Sequence, residues 1–434
     1  MKHMNSLTES LVKLYQDNKA KVWEQSPDLL NDFREEALAR FAQLGVPSFK
    51  NEDYKYTRID KAINPSLMLA GMTVSPTFSI PSFPSQEAFQ LNFCNGAHCK
   101  SNFRQDFPEN VVVGPVSQMV LEHPEIFTQY YNKQAAQSND AFVALNTALT
   151  HDGLLVYVPD GVEVELPIQV ADGMNGVDAQ VVSLRNLVVL GKGAKATLLF
   201  VEHNINNANS LMNQVSEFVV GEGAELHVNI VQDLLSESVM VDAQFYQLEE
   251  GAKAHQTVVS LNAGTIRNNL HTDLVGEGAE MTINGMSVLD AKQHVDNFTQ
   301  ITHAVPNCLS NQLYKNVLDG EAVGAFAGRI HVVRNAQKTN AFQRNNNVLL
   351  SKTAKMHAKP QLIIDADDVK CSHGATVGQI DEEALFYMQA RGIGKQQARM
   401  MLMNAFCHEV ISEIKHEFIR DVVAELVESK LSKE

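Results

Sequence analysis

The sequence predicts a mainly β protein: a right-handed parallel β-helix, or solenoid, with α-helical regions before and after it. One observation is that short strand patterns fill the middle of the chain, with almost no helical periodicity. The other is a repeated Gly-Ala pair followed by a charged residue and a β-rich stretch. The copies are Gly193-Ala194-Lys195, Gly223-Ala224-Glu225, Gly251-Ala252-Lys253 and Gly278-Ala279-Glu280. A repeated turn followed by a repeated strand indicates a solenoid, in which each unit buries its apolar face only against its neighbours.

The charge balance excludes two classes of partner. The chain has 35 Lys and Arg against 51 Asp and Glu, a net charge of −16. Such a surface repels phosphate backbones and anionic lipids, so we expect neither nucleic acid nor a membrane surface as partner. No apolar run is long enough to span a bilayer, and the first residues contain no apolar signal segment. We therefore expect a cytoplasmic protein.

The cysteine count also favours a reducing compartment. The five cysteines, an odd number in a long chain, do not indicate a disulfide framework, and we expect reduced thiols. Cys308 is a lone cysteine in the β-rich part, and Cys407 follows Phe406 on an apolar helix pattern, so a core position is favoured for both.

Residues 1–140 are predicted to form a helical region with one hairpin. Apolar stripes at helical spacing cover residues 7–44, and Gly45 and Pro47 end this pattern. The Pro-rich stretch 62–90 is predicted to be loop.

The hairpin is predicted at residues 91–99, around an Asn-Gly pair that suits the positive φ angles of a type I′ turn. A two-residue turn pairs Cys94 with Ala97 and Asn92 with Cys99, which places both thiols on one face. Two readings follow for these thiols: a metal-chelating pair, or buried small hydrophobic side chains, which is the favoured one.

Residues 141–378 are predicted to be the solenoid and 379–434 a helical domain. Strict alternation at 162–166 predicts one strand of the solenoid. Asp381 followed by two acids predicts a helix start, and Gly392 ends that helix. A longer helix follows, whose predicted apolar face consists of Ala398, Met401, Leu402, Ala405, Phe406, Val410, Ile414 and Phe418.

The segment 367–376 carries the most chemistry. Residues two apart on a strand face the same way, so Cys371 and His373 are expected on one face, where both could bind a metal. Two ligands are not a closed site, which leaves two readings: a half-site completed by another subunit, or a core thiol beside a satisfied histidine. Asp367 and Asp368 are adjacent and indicate a turn rather than an acid–base pair.

Other candidates give weaker signals. His294, His303 and His331 are spread through the β-rich sequence without ligand spacing. The Met-rich stretch 400–403 fits either a helix core or an adaptable docking surface for a partner protein.

These residues, together with several others, resemble the SufB/SufD family of iron–sulfur cluster assembly proteins, and within it the SufD branch. The Cys-Ser-His-Gly-Ala-Thr block at 371–376, with the Phe-Tyr and Arg-Gly-Ile that follow it, is highly specific. It resembles the SufD branch because SufB-like chains tend to carry His-Glu-Ala-Thr where this chain has residues 373–376. Cys94 and Cys99 match no family pattern. The other matching segments are 47–57, 142–153, 185–187, 294–310, 328–351, 385–387 and 391–393.

The resemblance implies a β-helix core with helical flanks and a subunit that is not an enzyme. It implies a complex with a SufB-type paralogue and with a SufC-type ABC ATPase, which docks on the C-terminal helices. His373, and after it Cys371, would contribute to a transient iron–sulfur cluster at the interface of the two paralogues. No cofactor is expected in the isolated subunit.

Two alternatives stand beside this interpretation. A homodimer that nucleates a cluster by itself is the alternative within the family. A polysaccharide-acting β-helix enzyme is the alternative outside it, but no same-face acidic cluster of the kind such an enzyme requires stands out.

Overall fold

The computed structural model is mainly β, with a solenoid of about seven turns flanked by helices on both sides, which confirms the predicted fold class. It describes residues 5–70, 88–103, 106–174, 178–204, 209–262 and 264–432. Across these residues, no helix combines the length and the apolar character that crossing a membrane requires.

The strands fall into two ten-stranded sheets. Sheet A contains β1 (Met68–Leu69), β4 (Val112–Pro115), β5 (Leu154–Val158), β7 (Gln180–Leu190), β9 (Leu211–Val220), β11 (Val239–Leu248), β13 (Thr265–Leu274), β15 (His294–His303), β17 (Val323–Val332) and β19 (Lys355–Ile364). Sheet B contains β2 (Phe89–Cys94), β3 (Ala97–Asn102), β6 (Ile168–Met174), β8 (Lys195–Asn204), β10 (Glu225–Asp233), β12 (Lys253–Asn262), β14 (Glu280–Leu289), β16 (Leu309–Leu318), β18 (Asn340–Leu349) and β20 (Lys370–Gly378). From β5 to β20 the chain alternates between the sheets, and each strand pairs in parallel with the strand two places away.

The repeated Gly-Ala pairs form the turns that enter sheet B. All four glycines have positive φ angles, between 63° and 73°, a conformation that disfavours side chains. The alanine after each glycine is fully buried in the core between the sheets. The same turn continues at Asn307-Cys308 and Lys338-Thr339, where Asn307 and Lys338 take the positive φ. Cys308 therefore fills an alanine position, as the favoured core reading predicted.

The interior of the solenoid is apolar along most of its width and polar along one column. Apolar side chains from the inner faces of both sheets form the largest core cluster. Beside it, one polar side chain from each strand of sheet B, from β6 to β18, occupies the same register position. These buried residues are Asp172, Glu202, Gln232, Ser260, Ser287, Asn316 and Asn347.

The N-terminal helices cover the outer face of sheet A. They are α1 (Ser6–Glu24), α2 (Asp28–Asn31), α3 (Arg34–Leu44), α4 (Ile59–Ala62), α5 (Val116–Glu122), α6 (Pro124–Tyr130) and α7 (Ala141–Leu149), with short 3₁₀ helices at Glu52–Tyr54 and Ala135–Gln137. Apolar side chains of α1, α3 and α7 pack on Val181, Leu211 and Val239 of sheet A. Gly45 ends α3 with a φ of 69°, as predicted.

The C-terminal helices pack on the outer face of sheet B over strands β12, β14 and β16. They are α8 (Glu382–Ala390), α9 (Lys395–Ile411) and α10 (Glu417–Ser432). The side chain of Asp381 caps α8, as predicted, by accepting the N–H groups of residues 383 and 384. The predicted apolar face of the longer helix is partly wrong. Met401 and Ala405 are exposed, and the buried stripe is Met403, Cys407, Val410, Ile411 and Ile414, because two helices rather than one pack on the sheet.

The hairpin before the solenoid confirms the predicted turn and corrects its pairing. The two turn residues have φ angles of 53° and 80°. A bulge after Asn92 pairs that residue with Lys100 instead of Cys99. Cys94 and Cys99 are joined by a disulfide, with Cα atoms 5.9 Å apart, so the expectation of reduced thiols is wrong for this pair.

Two other predictions need correction. The alternating stretch 162–166 forms only an isolated bridge from Glu163 to Lys195, not a strand. Of the predicted loop at 62–90, residues 71–87 lie outside the described residues, and the described part before them contains the short strand β1.

Candidate functional site at the open end of the solenoid

The solenoid ends differently at its two ends. At the N-terminal end, the short antiparallel strands β3 and β4 close sheets B and A. At the C-terminal end, β20 pairs with β18 and β19 pairs with β17, and no described strand continues either sheet. The outer edges of β19 and β20 therefore present backbone groups to which a further strand could add.

Cys371 and His373 lie on the last strand of sheet B. They are the register partners of Ala341 and Gln343 on β18, both of which are buried. Because partners in a parallel ladder point to the same side, the two candidate ligands share the face that lines the solenoid interior. His373 is nevertheless exposed, since no further turn of the described chain covers it. Ser372 points to the other face.

Cys371 is half-buried, which affects its chemistry. Its side chain packs beside the apolar cluster at this end of the solenoid, with Ile330 and Ala341 among its members. Burial raises the pKa of the Cys371 thiol above its ordinary value, against a smaller lowering by the backbone of Ala341. The neutral thiol is thus the resting form, and a metal must displace its proton before the sulfur can act as a ligand.

Gln343 lies one turn behind His373 and was missed by the sequence analysis. Its side chain is 1% exposed and packs over Gly328, whose absent Cβ would lie 2.0 Å from the Gln343 Nε2. Neither its amide nitrogen nor its amide oxygen makes a hydrogen bond within the described structure. The signal that could have revealed it is the repeat, because Gln343 precedes His373 by one solenoid turn.

The other sequence candidates are not gathered at this end. Asp367 and Asp368 form a bend before β20, as predicted, and the Asp368 N–H donates to Gln337 Oε1 at 2.8 Å. The three histidines lie apart. His294 contacts Thr57 Oγ1 at 2.9 Å, His303 contacts Ser310 Oγ at 2.9 Å, and His331 pairs with Asp365 at 3.3 Å.

A second group of potential ligands lies elsewhere on sheet B. Glu225 and His227 on β10 and His255 on β12 have ligand atoms within 4.8 Å of one another. Burial lowers the pKa of His255 to about 4, helped by the charges of His227 and Lys415. The imidazole of His255 is therefore neutral at pH 7. The repeat contains the signal for this group also, since each histidine is the fourth residue after the glycine of its own turn.

Exposed apolar side chains surround the open end. Val377 on β20 is 50% exposed, and Ile363 and Ile364 on β19 are also exposed. On the adjoining helix α8, Phe386 and Tyr387 point to solvent. A group of exposed apolar side chains beside free strand edges is typical of a protein–protein contact surface.

Comparison with known proteins gives matches over nearly the whole chain. The family model "SUF system FeS cluster assembly, SufBD core domain" matches residues 172–406, and "SufBD protein N-terminal region" matches residues 5–170.

Individual relatives agree with these models. The iron–sulfur cluster assembly protein SufD of Escherichia coli is 27% identical over 91% of this chain and 91% of its own length. SufD of Bacillus subtilis is 26% identical over 74% of each chain. Protein ABCI7, chloroplastic, of Arabidopsis thaliana is 31% identical over 73% of this chain and 68% of its own length. The chain therefore belongs to the SufB/SufD family, and within it to the SufD branch.

Proposed function

We propose that the chain is a non-catalytic scaffold subunit of the SUF iron–sulfur cluster assembly complex. The observation that carries the proposal is the position of Cys371 and His373, side by side on the last strand of an open solenoid. A thiolate and an imidazole are ligands for iron, but two ligands leave a site incomplete. The cluster is the cargo of this site, and a second subunit supplies the remaining ligands.

The second subunit in this proposal is a SufB-type paralogue. The free edges of β19 and β20 and the apolar side chains of Val377 and Ile363 support a contact at this end. A paralogue that folds into the same kind of solenoid would offer a matching edge, so that main-chain hydrogen bonds and apolar packing would join the two cores. His373, exposed at this end, would then face ligands of the paralogue.

The third component in this proposal is a SufC-type ABC ATPase that docks on the C-terminal helices. A groove of about 500 Å³ lies beside α9 and α10, with Met400, Met403 and Leu431 in its lining. Within the Met-rich stretch, Met403 is buried in the core, and the exposed Met401 supports the proposal of a docking surface for the ATPase. ATP-driven movement of the docked ATPase would shift these helices, which pack on sheet B, and so act on the paralogue interface.

Co-expression tests the complex. The three proteins from the same source are produced together with a tag on this chain alone, and the expected result is recovery of both partners in one stable complex. Recovery of neither partner would contradict a role as subunit of this complex. Recovery of neither, combined with stable iron–sulfur absorbance after anaerobic reconstitution of this chain alone, would favour the homodimer.

Paired substitutions test the site. His373→Ala removes the exposed imidazole, and we expect it to abolish most cluster formation in the three-component complex while the complex still assembles. Ser372→Ala is the matched control, because Ser372 is also exposed but points to the other face of β20. Equal cluster formation in the two variants would remove His373 from the mechanism.

A further inference from the structure

A compact group of three ligand side chains lies on the outer face of sheet B, away from the open end. His227 and His255 are register partners on β10 and β12, and their rings stack with centroids 4.8 Å apart and planes 11° apart. Glu225 lies two residues before His227, and its Oε1 is 2.9 Å from His227 Nε2. Strands β14, β16 and β18 separate this group from β20.

The carboxylate of Glu225 contacts a histidine because the lysines on either side of it are paired with other acids. Its register partners on both sides are lysines, Lys195 and Lys253. Lys195 pairs with Glu163 at 3.2 Å, and Lys253 pairs with Glu280 at 3.2 Å. Each neighbouring lysine is thus bound to another acid, whereas Glu225 contacts His227.

We propose that Glu225, His227 and His255 bind one divalent first-row transition metal of the Zn²⁺ and Fe²⁺ class. Two imidazoles and one carboxylate are the protein ligands of open zinc sites and of non-haem Fe²⁺ sites, in which water or another ligand fills the remaining positions. The backbones that carry the ligands are neighbouring strands of a continuous ladder, so only side-chain rotation is needed to bring the donor atoms onto one ion. This site is independent of the proposed function in cluster assembly.

The surroundings are suited to a partly shielded ion. The side chains of His227 and Glu225 are 18% and 38% exposed, so solvent can deliver an ion and complete its coordination. Thr197 and Thr282 flank the two histidines in the same column of the ladder, and both carry a hydroxyl. Lys415, between α9 and α10, contributes a positive charge near His255, and Glu280 contributes a negative one.

The test is a metal titration of the full-length chain carrying C371S and H373A, without a histidine tag, so that the open-end ligands do not contribute. Co²⁺ serves as the spectroscopic probe, Zn²⁺ affinity is measured by competition with a chromophoric chelator, and Fe²⁺ is titrated anaerobically. We expect one equivalent of Co²⁺ to give d–d absorption and Zn²⁺ to displace it. The Fe²⁺ arm shows whether ferrous iron occupies the same site.

Three variants in this background make the assignment specific. H255Q and E225Q each remove one ligand, and we expect each to weaken metal affinity by about tenfold or more, since loss of even a hydrogen-bond partner of a metal ligand costs about that much. H331Q is the control, because His331 and Asp365 also form an imidazole–carboxylate pair, 3.3 Å apart. No third ligand joins that pair among the residues that the structure describes.

Either of two results overturns the proposal: absence of one-equivalent binding by the parent chain, or equal affinity of E225Q and H331Q. Thermal unfolding of each variant without metal verifies the fold. If H255Q unfolds, E225Q decides the question. The Glu225 side chain is more exposed than that of His227, and glutamine has the same shape as glutamate, so E225Q should leave the fold intact.

Discussion

Asp172 and Asp242 show what the solenoid interior does to single carboxyl groups. Burial raises the pKa of each to about 7, and it raises the pKa of the neighbouring Glu202 as well. The backbone of Gly173 partly opposes this shift at Asp172. Carboxyl groups in these positions hold a proton at a pH where exposed ones have lost it.

This proton makes stability depend on pH. The folded pKa of Asp172, about 7, lies above the unfolded value of about 3.9, so the folded state binds a proton that the unfolded state releases. The contribution of this proton to the free energy of unfolding is fully present below about pH 4 and is lost as the pH rises through 7. The free energy of unfolding changes by at most about 1.4 kcal/mol per pH unit from this group.

We predict that Asp172→Asn gains stability relative to the unsubstituted protein as the pH rises from 5 to 8. Denaturant unfolding at each pH measures the difference in the free energy of unfolding. Asp17→Asn is the control, because Asp17 is exposed on α1. Parallel pH profiles for the Asp172 variant and the unsubstituted protein would contradict the prediction.

Single residues also show where sequence reasoning stops. The alternation of side chains along a strand placed Cys371 and His373 on one face, and the strand β20 bears this out. Gln343 and Asp172 could not be found in this way, because their inward position contradicts the rule that apolar residues face the core. Such residues can be found only through the repeat, which sets the register between neighbouring turns.

At the scale of elements, the turns of the solenoid were predictable where glycine marks them. Gly193 and its repeats indicate a positive φ in the sequence. Asn307 and Lys338 also have a positive φ but are not glycines, so the sequence pattern did not predict the two turns that they form. Alternation at 162–166 wrongly predicted a strand, since this stretch makes only a single bridge. The bulge at Asn92 shifts its pairing in the hairpin by one residue, and no local sequence pattern predicts such a bulge.

Strand β9 also fixes the segment that precedes α7. Glu217 pairs with Arg185 at 3.0 Å, and both side chains are fully buried. The same carboxylate accepts the backbone N–H groups of Asn132, Gln134 and Ala135 at 2.8–3.0 Å. One side chain therefore joins two strands of sheet A to the N-terminal region.

We predict that Glu217→Gln destabilises the protein by about 3–5 kcal/mol, because it leaves the Arg185 guanidinium buried without its counter-charge. Chemical denaturation measures the loss. Glu163→Gln is the matched control, since it breaks an exposed pair with Lys195 and should cost less than about 1 kcal/mol. Similar losses in the two variants would show that burial does not set the strength of the Glu217 interactions.

At the scale of the whole molecule, the fold separates a closed end from an open one. The helices cover part of the outer face of each sheet, and the antiparallel strands close the N-terminal end. At the C-terminal edge the last strands have no further described strand beside them, and Val377 and Ile363 are exposed there. Assembly should therefore depend on this edge more than on other exposed apolar residues.

We predict that Val377→Lys weakens recovery of the SufB-type paralogue by at least tenfold while the melting temperature stays nearly unchanged, because Val377 is half exposed in the isolated chain. Leu121→Lys is the control, since Leu121 is 70% exposed on α5, near the closed end. Quantitative pull-down measures both. Equal retention of the paralogue by the two variants would move the interface elsewhere.

The stacking of turns also has a kinetic consequence. Each inner turn is held by a neighbour on either side, but β19 and β20 are each held on one side. In such a one-dimensional stack, opening begins at the terminal turn and proceeds inward. Amide hydrogens of β20 should accordingly exchange with deuterium sooner than those of β12, and a bound paralogue should slow them. The turn that carries Cys371 and His373 would then become rigid only on assembly. The isolated subunit would present these two ligands on a strand that opens readily, and the complex would present them on a fixed strand.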